Sequence, residues 1–139
     1  MRIIIINGPN LNLTGIREQD HYGEISFEEY IEELRKKFPE ADIKYYQSNI
    51  EGEIINTLHE KGFSADGIIL NPGGYTHTSV AIGDAVKAIK TPVIEIHMSN
   101  IHNRESFRQK SFIAPAAAGT ITGMGLKGYD LGVWYFITG

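Results

Sequence analysis

Three polar stretches of this sequence gather side chains that can move a proton or hold an anion. Residues 8–23 supply Asn10, Arg17 and Tyr22, and residues 71–79 supply Asn71 and His77. Residues 97–111 supply His97, Ser99, Asn100, His102, Arg104 and Arg108. Imidazole, phenol, guanidinium and amide groups together make an acid–base and anion-binding set that needs no cofactor. Taken singly, a loop histidine or arginine is more often a solvated surface residue. The set gains meaning only if the fold brings the three stretches to one place.

Two pairs within the set suit proton transfer. A phenol has an ordinary pKa near 10 and is a poor base at neutral pH unless a cation stabilises the phenolate. Arg17 lies five residues before Tyr22. Bringing the phenol into the neutral range takes about 3–4 kcal/mol, which one or two guanidinium groups in a water-poor pocket supply. The same spacing also suits a Tyr22 that merely packs its ring beside Gly23. His97 directly follows the apolar run 93–96, in which Glu95 is the one charged residue. A carboxylate there either orients the imidazole or holds a neighbouring polar group, and Ser99 adds a hydroxyl two residues on. A histidine fixed at a strand end is a candidate general acid.

Other chemistries fit less well. The chain has no cysteine, which removes disulfides, thiolate metal ligands and cysteine nucleophiles and fits a reducing compartment. A metal built from His97 and His102 with His21 or His77 lacks the His-x-x-x-His spacing of a helical site, so no metal is expected. Gly-x-Ser-x-Gly of a serine hydrolase is absent. A phospho-acceptor domain needs carboxylates where the first and third strands end, and those places hold Asn7 and Asn71. Gly123-Met124-Gly125-Leu126-Lys127-Gly128 matches the dinucleotide fingerprint Gly-x-Gly-x-x-Gly. That fingerprint also requires a following strand with an acidic residue about twenty positions on, and the sequence after Gly128 holds none. Glycines that let a helix approach the sheet are the better reading. A net charge of −4 argues against a general nucleic-acid binder. The apolar run Ile3 to Ile6 is too short for a signal-peptide core, and no run approaches a membrane span. A cytoplasmic protein with neither nucleic-acid nor membrane partner is expected.

The elements that must position these residues alternate in type. A first strand is expected over residues 1–7 on the unbroken apolar run Ile3 to Ile6, and a third over the short run Ile68 to Leu70, both of the kind buried on both faces of a parallel sheet. Ser26 with Glu29 opens a helix whose stripe is Phe27, Tyr30, Ile31, Leu34 and Phe38, ended by Pro39. A second strand is expected over 42–47. A second helix is expected over 48–61 with Ile50, Ile54 and Leu58 inward and Gly62 just past its end. Ser79 opens a third helix through Ile82, Val86 and Ile89, closed by Thr91-Pro92. Strands at 93–96 and 118–122 and a helix marked by Leu126, Tyr129, Val133 and Ile137 complete the chain. Five alternations in 139 residues with right-handed crossovers give an α/β fold, a flavodoxin-like doubly wound five-stranded parallel sheet of order 2-1-3-4-5. Residues 1–139 form a single catalytic domain in this reading. The three polar stretches follow strands one, three and four, so all open on the carboxyl edge where such sheets bind ligands.

Three long motifs, in order, carry a family resemblance. They are Asn7-Gly8-Pro9-Asn10-Leu11-Asn12-Leu13 with Arg17-Glu18 and Tyr22-Gly23, then Asn71-Pro72-Gly73-Gly74-Tyr75-Thr76-His77-Thr78-Ser79, then Glu95-Ile96-His97-Met98-Ser99-Asn100 with Arg104-Glu105 and Phe107-Arg108. Together they closely resemble type II 3-dehydroquinate dehydratase. The resemblance implies reversible, cofactor-free dehydration of 3-dehydroquinate to 3-dehydroshikimate by anti elimination through an enolate. The setting is the shikimate pathway, in aromatic amino acid biosynthesis or in quinate breakdown. It implies a homo-oligomer, a dodecamer of four trimers. Carried over, Tyr22 is the base, Arg17 the cation that activates it, and His97 the acid that protonates the departing hydroxyl. Asn71, His77 and Arg108 hold substrate hydroxyls and carboxylate with the backbone around Met98 and Ser99. Asn10 and Glu95 support the site and Arg104 closes over it. The resemblance also assigns a substrate contact to Asp84. That residue sits well into the third helix, where contact across a subunit boundary makes sense of it. Gln19 stands where the family commonly has proline and Thr14 where it has leucine, and both are expected to affect closure of the first loop. The rival is a non-catalytic flavodoxin-like module that captures a small anion. The imine route to the same product is disfavoured, because no lysine lies on the three loops before Lys110.

Overall fold

The computed structural model of the protein describes residues 1–15 and 25–139. Strands β1 (Arg2–Asn7), β2 (Asp42–Gln47), β3 (Gly67–Asn71), β4 (Val93–His97) and β5 (Gly119–Thr122) alternate with helices α1 (Phe27–Lys37), α2 (Glu51–Lys61), α3 (Val80–Ala88) and α4 (Lys127–Thr138). All neighbouring strands pair in parallel, in the order β2-β1-β3-β4-β5. This is the expected flavodoxin-like sheet. Among the described residues no helix is long and apolar enough to cross a membrane.

Successive residues of a strand point to opposite faces, and the sheet has a core on each. Ile3, Ile5, Ile69, Ile94 and Ile96 pack against α1 and α4 through Phe27, Tyr30, Leu34, Tyr129, Val133 and Phe136. Ile4, Ile6, Ile68, Leu70 and Val93 pack against α2 and α3 through Ile54, Leu58, Ile82 and Val86. Each fully buried aliphatic side chain contributes about 1.5–3 kcal/mol. Double coverage explains why β1 and β3 read as continuous apolar runs rather than alternating ones.

The ends of α1 follow from its sequence. The Ser26 hydroxyl accepts the Glu29 amide at 3.1 Å. Glu28 and Glu29 lie in the first turn, with Arg35, Lys36 and Lys37 in the last, matching the helix dipole at both ends. Helix α2 departs from expectation. It begins at Glu51, and Ile50 is its N-cap, 57% exposed rather than inward. The Ser48 hydroxyl accepts the Ile50 amide at 3.0 Å and donates to Glu53 at 2.6 Å, which holds the chain in a turn and delays the first helical residue. Gly62 ends α2 as expected, yet with φ −71°. Contact selects glycine there: a Cβ would meet Leu58 O at 2.4 Å and Ile89 at 2.5 Å. In the Gly-x-Gly-x-x-Gly stretch, a Cβ on Gly128 would lie 2.9 Å from Ile96, so that glycine lets α4 approach the sheet.

Two helical glycines with opposite surroundings make a stability test. A Cβ on Gly52 meets nothing within 4 Å, whereas one on Gly83 would sit 2.3 Å from the main-chain oxygen of Phe112. Gly52→Ala is expected to stabilise by about 0.5–1 kcal/mol through the unfolded chain. Gly83→Ala gains the same propensity but must displace the Phe112 strand of chain, and is expected to lose about 1–3 kcal/mol net. Thermal unfolding of the two variants should place Tm on opposite sides of the parent value; equal shifts would contradict the contact at Gly83.

Candidate active site

The loops after β1 and β3 lean on each other at the carboxyl edge of the sheet. The Gly8 amide donates to Asn71 O at 2.7 Å, and a Cβ on Gly8 would lie 2.6 Å from Pro72 O. Gly73 turns the second loop with φ +61°, a left-handed conformation that glycine adopts without strain. Asn10 is also left-handed, at φ 71°, and its amide donates to Asn49 Oδ1 at 3.0 Å. Gln47, at the end of β2, braces the same loop by donating to Gly8 O at 3.1 Å.

Between these loops and the one after β4 lies a cavity of about 150 Å³, lined by Asn10, Asn71, His77, His97, Arg104 and Arg108 among others. Met98 and Ser99 also line it. The three polar stretches thus converge, at least in their described parts. Arg17 and Tyr22, with His21 and Gln19, lie outside the described residues.

Asn71 is held by a buried polar chain. Its Nδ2 donates to the Tyr129 hydroxyl at 2.9 Å, and that hydroxyl donates to Asn7 Oδ1 at 2.8 Å. Its Oδ1 accepts the Gly73 amide at 3.2 Å. One amide hydrogen and one lone pair of the oxygen are therefore committed, and the second amide hydrogen and the other lone pair are what Asn71 has left for a ligand.

His97 closes β4 and is 6% exposed, and Glu95 behind it is 2% exposed. Nε2 of His97 lies 3.3 Å from the Thr76 hydroxyl and 3.5 Å from Glu95 Oε1, which leaves Nδ1 to act on a ligand. Glu95 also accepts the Ser111 hydroxyl at 2.6 Å, so it serves both purposes its position suggested. His77 stacks at 6.2 Å and 22° beside His97, and its Nδ1 donates to Lys110 O at 2.7 Å. Burial first, then the charges of His97 and Arg108, hold the His77 pKa below its ordinary value, against an upward pull from the Lys110 carbonyl. His77 therefore enters the cavity neutral at pH 7, with Nε2 as an acceptor.

The cations come from the last loop. Arg108 is tied through Nε to Glu105 at 2.6 Å and lies 5.1 Å from the centre of the Phe107 ring. Arg104 donates to the Ser99 hydroxyl at 3.3 Å. The Met98 side chain is buried in the core and its carbonyl accepts the Gly125 amide at 2.9 Å.

Some candidates have other work. His102 pairs with Gln109 at 2.8 Å, and the Asn100 side chain accepts the His102 amide at 3.1 Å; both shape the loop outside the cavity. Asp84 is exposed on α3 and does not line the cavity. Thr14 is buried, and its hydroxyl donates to Leu11 O at 2.8 Å, so this position closes the turn Leu11–Leu13. Sequence reasoning missed Thr76, Ser111 and Tyr129. Only Thr76 carried a signal, as the neighbour of His77 inside the second motif. Among the described residues no three His, Asp or Glu side chains gather as a metal site.

Comparison with known proteins agrees with this geometry. Residues 1–137 match the family described as dehydroquinase class II. The 3-dehydroquinate dehydratase of Caldicellulosiruptor bescii is 50% identical over 136 residues, covering 96% of this chain and 94% of that one. That of Sulfurovum sp. is 53% identical over 134 residues, covering 94% and 82%. The crystal structure of the type II dehydroquinase from Butyrivibrio crossotus matches with a TM-score of 0.93 at 42% identity, over 99% of this chain and 97% of that one. A loop-built cavity on a 2-1-3-4-5 sheet and a match along nearly the whole length lead to one assignment: the chain belongs to the class II dehydroquinase family.

Proposed function

We propose that the protein catalyses the reversible dehydration of 3-dehydroquinate to 3-dehydroshikimate, by anti elimination through an enolate and without a cofactor. The observation that carries this reading is His97, buried at the end of β4 with Glu95 behind it and facing a cavity that also holds Asn71, His77, Arg104 and Arg108. Loss of a β-hydroxyl from a ketone needs a base, a site for the enolate charge and an acid for the departing hydroxyl. In this reading Tyr22 removes the proton beside the ketone and Arg17 stabilises its phenolate. His97 protonates the hydroxyl through Nδ1. Asn71, neutral His77 and Arg108 hold the substrate's hydroxyls and carboxylate together with the backbone at Met98 and Ser99. Asn10 contributes on the enolate side and Arg104 closes the mouth.

Asp84, exposed on α3, reaches the cavity of a neighbouring subunit in a dodecamer of four trimers. The protein acts in the cytoplasm, in the shikimate pathway towards aromatic amino acids. A non-catalytic anion-binding module is not favoured, because such a module has no use for a buried histidine–carboxylate pair at the cavity wall.

The direct test follows ultraviolet absorbance after mixing the protein with 3-dehydroquinate, since loss of water creates a strongly absorbing conjugated enone. The signal is expected to grow with EDTA present and after pretreatment with substrate plus borohydride. A signal abolished by EDTA would make the reaction metal-dependent, and one abolished by borohydride would point to a lysine imine. No signal from assembled protein would leave the binding module as the reading.

A further inference from the structure

We propose that Ser111 is a positioning residue for proton transfer by His97: its hydroxyl, with no other direction open to it, fixes the Glu95 carboxylate that orients the imidazole. The proposal rests on His97 as the acid. A serine hydroxyl has one hydrogen to give and two lone pairs to accept with. At Ser111 both lone pairs are taken, by the main-chain amides of Ile113 at 3.1 Å and Ala114 at 2.9 Å. The hydrogen is therefore directed at Glu95 Oε1, 2.6 Å away. This is the short contact of a hydroxyl with a carboxylate, and it is tighter than the 3.5 Å from the same oxygen to His97 Nε2. A carboxylate this deeply buried is costly unless hydrogen-bonded. Ser111 and Thr76, whose hydroxyl lies 3.5 Å from Oε1, supply the donors that hold it where the imidazole needs it.

The chain on either side of Ser111 holds the other cavity histidine. Lys110 accepts from His77 Nδ1 at 2.7 Å, and the Phe112 amide donates to Thr76 O at 2.9 Å. Residues 110–112 therefore impose opposite tautomers on two stacked rings. His77 is protonated at Nδ1 and presents Nε2 as an acceptor, whereas neutral His97 keeps its proton on Nε2 and takes up at Nδ1 the second proton that it then gives to the departing hydroxyl. One ring accepts from a substrate hydroxyl, and the other transfers a proton from a fixed nitrogen. Only the His97 half of this arrangement passes through a side chain, which makes it separable by mutation.

The test compares Ser111→Ala, Ser111→Cys and Ser111→Thr as assembled enzymes, with His97→Ala alongside. The readouts are kcat, KM for 3-dehydroquinate and the ¹⁵N signals of labelled histidine. In Ser111→Ala we expect kcat to fall about 10- to 100-fold, part of the 10²–10⁴ that a general acid contributes. KM should stay within about twofold, and only the His97 ring should lose its single tautomer. Ser111→Thr, which keeps the hydroxyl, should recover most of kcat. If Ser111→Ala does not fold, Ser111→Cys, a weak donor of similar size, takes its place with the same expectation. Native kcat in the Ala or Cys variant overturns the proposal. So does an Ala or Cys variant in which both histidines and KM change together, because that is loop collapse rather than positioning. A slow His97→Ala beside a normal Ser111→Ala removes this inference alone; a normal His97→Ala removes the acid assignment beneath it.

Discussion

His97→Ala is expected to lower kcat by about 10²–10⁴-fold, the usual contribution of a positioned general acid, while KM changes little. A hydroxyl beyond the enolate leaves slowly as hydroxide and quickly as water, so the acid acts on the second half of an elimination and not on the first. The geometry fits that division. The ring is backed by Glu95 and Thr76 on its Nε2 side and open to the cavity on the other. Removing it does not touch the groups assigned to enolate formation. The variant should therefore still exchange the substrate's acidic hydrogen for deuterium in heavy water while making almost no enone. Mass spectrometry of recovered 3-dehydroquinate measures the first and ultraviolet absorbance the second. If KM alone rises, His97 is a binding residue; if exchange stops as well, it does not act on the leaving group alone. The contacts of Glu95 with Ser111 and Thr76 do not pass through the ring, and a Tm close to the parent value would show that the loss is chemical.

What the sequence disclosed depended on the range of the interaction. Strand β1 is legible because Ile3 to Ile6 are buried on alternating faces by two separate cores, and an unbroken β-branched run reports double coverage directly. Helix α1 is legible because its cap, its apolar stripe and its charged ends all lie between Ser26 and Phe38. Ile50 was misplaced by the same logic. Its spacing to Ile54 is helical, but the Ser48 turn two residues earlier takes it out of the helix, and periodicity does not register a local hydrogen bond that competes with helix start. The convergence of the polar loops followed from strand order alone. What joins them did not: Ser111 lies sixteen residues from Glu95 and Tyr129 fifty-eight from Asn71. Asn100 and His102 looked like site residues by composition and are spent on their own turn, since a polar side chain near a loop amide satisfies the backbone before it meets a ligand.

Tyr22→Phe is expected to abolish turnover, a loss of at least about 10³-fold in kcat, with substrate binding retained within a few-fold. One oxygen is removed and the ring is kept, so whatever packing the ring provides survives while the proton acceptor disappears. The residue lies outside the described residues, and its role comes from the motif that places it five positions after Arg17. Chemistry sharpens the expectation. Near pH 7 an unassisted phenol is overwhelmingly protonated, so a tyrosine base works only beside a permanent cation, and loss of Arg17 should mimic loss of Tyr22 in rate. Calorimetric titration with 3-dehydroquinate checks binding, and the deuterium experiment separates the two ends of the reaction. His97→Ala should exchange without eliminating, whereas Tyr22→Phe should do neither, because no enolate forms. If Tyr22→Phe still exchanges deuterium at the parent rate, another group removes the proton. His77 would then be the next to test, since burial holds it neutral against the upward pull of the Lys110 carbonyl, and the bond from Nδ1 to that carbonyl turns Nε2 to the cavity.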